Sequence, residues 1–82
     1  MTHIVAKEKA DFEAIKSGKM SFFVHKIGKY AVDPGEKIIF QETKDGEHTG
    51  EEFEAYAGHT ETEGLAKNRQ AIAIYFSPTN AD

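Results

Sequence analysis

The 82-residue sequence contains no cysteine, which excludes a disulfide framework and a thiolate metal site and fits a reducing compartment. Long apolar runs are missing too. The longest, Ile38-Ile39-Phe40 and Ala71 to Phe76, fall far short of the roughly 20 residues of a membrane-spanning helix. The start, Met1 to Lys7, lacks the basic and apolar stretches of a signal peptide. A soluble, cytoplasmic protein with no membrane partner is expected. Six phenylalanines and three tyrosines, within 39% hydrophobic and 29% charged residues, are enough apolar material for one small core and too little net charge for a disordered chain. We expect one domain over residues 1–76, with a flexible tail over 77–82, where Ser77-Pro78-Thr79-Asn80-Ala81-Asp82 has no apolar anchor.

The net charge of −4 is unevenly spread. Residues 1–40 hold seven lysines against five acids, net +2, whereas residues 41–82 hold two lysines and Arg69 against nine acids, net −6. Eight of those acids lie between Glu42 and Glu63. Solvated outer faces account for this, and so do two interaction surfaces of opposite sign.

Thr2 to Lys7 alternates as a strand, with Ile4 and Ala6 opposite His3 and Val5. From Lys9 to Ser17, Phe12, Ile15 and Lys16 share a helical face, and Gly18 sits where a C-cap glycine belongs. Ser21 to Ile27 reads as a strand buried on both sides. Asp33-Pro34-Gly35-Glu36 has type II turn chemistry and leads into a strand over Lys37 to Glu42. Asp45-Gly46 is a hairpin signal, and Thr49 to Ala57 returns with Phe53, Ala55 and Ala57 inward. Gly58 to Gly64 is a predicted loop, Leu65 to Gln70 a helical turn, and Ala71 to Phe76 a closing strand. The fold class is α+β: a small, partly closed mixed β-barrel of five or six strands with one early helix. Its predicted core is Phe12, Ile15, Val24, Ile38, Phe40, Phe53, Ile72 and Ile74.

Little points to catalysis or metal. His3, His25, His48 and His59 fall on different elements, with no pair at ligand spacing. Asp45-Gly46-Glu47 lacks the repeated acids of a calcium loop. Ser17 and Ser21 precede His25 without a nucleophile-elbow context. No metal and no cofactor is expected. Lys16, Lys19, Lys26 and Lys29 interleave with Phe22, Phe23 and Tyr30, a pattern that can track phosphates and stack bases. It is equally the pattern of core aromatics among surface lysines.

The strand, the run Phe12-Glu13-Ala14-Ile15-Lys16-Ser17-Gly18-Lys19, a second strand, Asp33-Pro34-Gly35-Glu36 before an apolar strand, and His48-Thr49-Gly50 together resemble the ASCH branch of the PUA-like superfamily, closest to its small bacterial and phage members. The likeness spans about residues 3–76. It implies a small β-barrel that binds RNA or nucleotide-like ligands in a cleft beside the early helix; some members resemble amidohydrolases acting on acetylated cytidine. Aligned on Gly18, the family's lysine, glutamate and arginine places hold Met20, Phe23 and His25. In the amidohydrolase-like members the first two supply a catalytic amine and a catalytic hydroxyl, so the resemblance implies no such enzyme here. His25 keeps a hydrogen-bond donor and some positive charge at low pH. The expected function is non-enzymatic binding of RNA or another nucleic acid through Lys16, Lys19, His25, Lys26, Lys29 and Tyr30. The alternative is a phage or mobile-element accessory protein, its acidic stretch from Glu42 to Glu63 set against a basic protein partner. A monomer or weak homodimer is expected.

Overall fold

A computed structural model describes residues 1–76; the tail expected over 77–82 lies outside the described residues. In chain order the elements are β1 (Thr2–Glu8), α1 (Lys9–Lys16), β2 (Phe22–Lys26), β3 (Lys37–Lys44), β4 (Glu47–Glu61) and β5 (Arg69–Tyr75). The five strands form one sheet in the order β1-β3-β4-β5-β2. β1 runs parallel to β3, and the other pairings are antiparallel.

Local chemistry accounts for the joints. α1 ends at Ser17, and Gly18 takes the positive φ (+85°) that closes the last turn. Gly35 has φ +90° in the turn before β3, and the Glu36 amide donates to the Asp33 carbonyl at 3.1 Å. Asp45 and Gly46 both have positive φ, the two-residue primed turn whose twist matches its flanking strands. Glu8 braces this hairpin from β1, accepting from Thr43 Oγ1 at 2.5 Å and from the Asp45 amide at 3.2 Å.

Phe12 and Ile15 face from α1 onto the sheet, where they meet Phe23, Val32, Ile38, Phe40, Ala55, Ala57, Ile72 and Ile74 in one buried cluster. Phe53 is half-buried against it, its ring 5.2 Å from that of Phe40 and 5.0 Å from that of Phe12. Val24 is not in the core. It is 44% exposed, and Phe23, 3% exposed, takes the inward place. β2 is an edge strand whose outer face no element covers, so it is buried on one side only.

Three further expectations are corrected. The sheet is not closed into a barrel: β1 and β2 end the strand order and share no ladder. The expected loop over Gly58 to Gly64 is strand as far as Glu61, because β4 resumes its pairing with β5 through Thr60–Ile72 and Glu61–Ala71 after a bulge. Leu65 to Gln70 is no helical turn. It holds turns closed by amide bonds from Leu65 to Thr62 and from Arg69 to Ala66, and Arg69 already begins β5.

Candidate functional site

The two unpaired edges face one another across an open seam. One groove of about 340 Å³ is walled by Ile4 to Lys7 of β1 and by Val24 to Lys26 of β2, with Arg69 at its lip. A second, of about 510 Å³, continues from it toward the end of α1, with Lys19, Met20 and Ser21 along one wall. Lys7 and Val24 belong to both, which makes one continuous trough.

Four permanent cations line it: Lys7, Lys19, Lys26 and Arg69. Asp11 is the only acid lining either groove among the described residues. The pairing register puts Lys26 opposite Arg69, next to each other on the outer face. Lys7 points inward from β1 and sets its ammonium 5.1 Å from the centre of the Phe23 ring, close enough for a cation–π contact. None of the four is in an ion pair among the described residues.

His25 points inward beside Phe23 and lines the seam. Burial lowers its pKa, with His3 and Lys7 adding repulsion. It is therefore neutral near pH 7 and brings the trough a hydrogen-bonding imidazole rather than a charge. Next to it, His3 Nε2 lies 2.9 Å from Glu36 Oε1, so this pair is already engaged.

Of the expected binding residues, Lys19, His25 and Lys26 are brought together along the trough. Lys16 sits at the end of α1, 6.0 Å from the Phe12 ring centre, and does not line it. Lys29 and Tyr30 lie in the segment after β2, with the ammonium 5.5 Å from the ring centre and the tyrosine 54% exposed. They line neither groove. Lys7 and Arg69 are the residues that sequence reasoning missed. Lys7 has the same strand parity as His3 and Val5, a usable signal; Arg69 comes from the acidic half, and only the β2–β5 register reveals it.

The acids occupy different ground. Glu51, Glu52 and Glu54 are exposed on β4, the middle strand of the five, and line neither groove of the seam. Glu42 is the exception: it is buried on β3 and accepts from Thr49 Oγ1 at 2.6 Å. No group of three or more metal-ligating side chains occurs among the described residues, and no helix there is long and apolar enough to cross a membrane. No family model and no curated protein matches this chain.

Proposed function

We propose that this chain is a non-enzymatic, cytoplasmic PUA/ASCH-like domain that binds RNA or another nucleic acid along the β1–β2 side of its sheet. The observation that carries this reading is the set of four cations without ion-pair partners, Lys7, Lys19, Lys26 and Arg69, lining one trough with a single acid. Phosphates neutralise such a row and release counterions, which stabilises the complex at low salt. Phe22 and Tyr30, both more than half exposed, supply ring faces on which bases stack. The sequence resemblance to the ASCH branch supports the same ligand class.

A hydrolytic role finds no support at the aligned places. Met20 packs its thioether against the core, and Phe23 presents a buried phenyl ring; neither can donate a proton or attack a carbonyl. The exposed glutamates of β4 support the second reading, an accessory protein with a basic partner, on the middle strand of the sheet rather than along the seam. Titration of a labelled single-stranded oligonucleotide across a salt series separates the two, because the acidic face repels phosphates.

A further inference from the structure

The hydrogen bonds that join β2 to β5 leave a defined set of backbone groups free. The Ile74 amide donates to the Ser21 carbonyl at 2.9 Å, and the Ile27 amide donates to the Asn68 carbonyl at 2.8 Å. In an antiparallel ladder alternate residues point the same way, so Ser21, Phe23, His25 and Ile27 turn their backbone groups toward β5. Phe22, Val24 and Lys26 turn theirs away, toward the seam and β1. Beside this edge the side chains are also segregated. On the outer side stand Ile4, 65% exposed, with Phe22 and Val24; on the inner side stand Lys7 and His25.

We propose that the seam binds an extended acidic peptide segment of a partner protein, which pairs with the free edge of β2 as an added strand. An edge of unpaired amides and carbonyls is a template for β-addition, and the β1–β2 seam is where the sheet stops short of closing. Charge selects the occupant: the seam's wall holds Lys7, Lys26 and Arg69 and no acid. Because side chains alternate along a strand, a segment with acidic residues at every second position sets carboxylates toward Lys7 while its apolar residues cover Ile4, Phe22 and Val24; Lys26 and Arg69, on the outer face, attract the segment through its net negative charge rather than through direct pairing. Nucleic acid matches the same charges but has no backbone ladder to offer. The inference therefore does not rest on the nucleic-acid reading.

The test is NMR titration of the whole chain with a capped peptide of alternating glutamate and valine, about seven residues long, enough to span β2. We expect the Phe22, Val24 and Lys26 amides to slow in hydrogen exchange by at least about tenfold at saturation. A lysine–valine peptide of the same length is expected to bind at least about tenfold more weakly. Val24→Pro removes an amide that the β2–β5 ladder does not use and should weaken the glutamate peptide by a similar factor, with the parent exchange data standing alone if that variant does not fold. No binding at about 1 mM peptide, saturation without protection of those three amides, or equal binding of the lysine peptide would overturn the proposal. So would protection of the same amides by a single-stranded oligonucleotide alone.

Discussion

The side-chain amide of Gln70 satisfies both backbone groups of Val32. Its Oε1 accepts from the Val32 amide at 2.8 Å, and its Nε2 donates to the Val32 carbonyl at 3.1 Å. Both residues are buried, so this clamp fixes the long β2–β3 connection onto β5 without a strand pairing. Gln70→Met keeps the volume and removes both bonds. It should cost about 2–6 kcal/mol, since each of the two buried groups left unpaired costs about 1–3 kcal/mol; chemical denaturation measures it, and a loss under about 0.5 kcal/mol would refute the clamp.

Phe40 and Phe53 stack, yet they differ in burial: Phe40 is fully enclosed and Phe53 is half-buried. Phe40→Ala should cost about 3–5 kcal/mol, a large share of the roughly 4–12 kcal/mol available to a chain of this length. Phe53→Ala should cost distinctly less. Urea midpoints of the two variants, compared at equal slope, give the order.

Glu36 is held as a carboxylate. The Asp33 amide donates to it at 2.8 Å, and His3 lies 2.9 Å away; these bonds, the first above all, lower its pKa from 4.5 to about 2. A depressed carboxylate contributes stability that is complete above its unfolded value and is lost as pH falls through the folded one. The parent should therefore lose stability between about pH 4.5 and 2, and Glu36→Gln should flatten that part of the curve. Thermal midpoints across this window, unchanged in shape by the substitution, would contradict the assignment.

Gly58 lies under the Tyr75 ring, and a Cβ built there would stand 2.0 Å from Cε2. Gly58→Ala must push the ring aside, which we expect to destabilise by about 1–3 kcal/mol. Tyr75→Ser in the same chain should recover most of that loss. A double-mutant cycle with no coupling would show that the contact carries no energy.

Elements set by their neighbours in sequence were legible in it. The Phe12–Ile15 face, the Gly18 cap, the Pro34-Gly35 turn and the Asp45-Gly46 hairpin each follow from local backbone chemistry. Features set by partners distant in the chain were not. Phe22, Phe23 and Val24 read as a doubly buried strand because nothing local says that β2 is an edge; β4 runs to Glu61 because β5 is there to pair with it. The trough was half legible. Lys19, His25 and Lys26 lie in one stretch of sequence, but Arg69 reaches Lys26 only through the β2–β5 register, and Lys7 faces Phe23 only because the sheet's two edges come together.

The seam's electrostatics are tested most directly by fluorescence anisotropy of a labelled single-stranded RNA over a range of salt concentrations. For four phosphate contacts, log affinity should fall against log salt with a slope of about −3, at roughly −0.7 per contact. Replacing Lys19, Lys26 and Arg69 together by glutamate should weaken binding and flatten that slope, while Glu52→Lys with Glu54→Lys on β4 should leave the site in place or strengthen it. Absence of binding by the parent at low salt, or a triple variant that binds as tightly as the parent, would contradict the nucleic-acid account and favour the acidic face of β4.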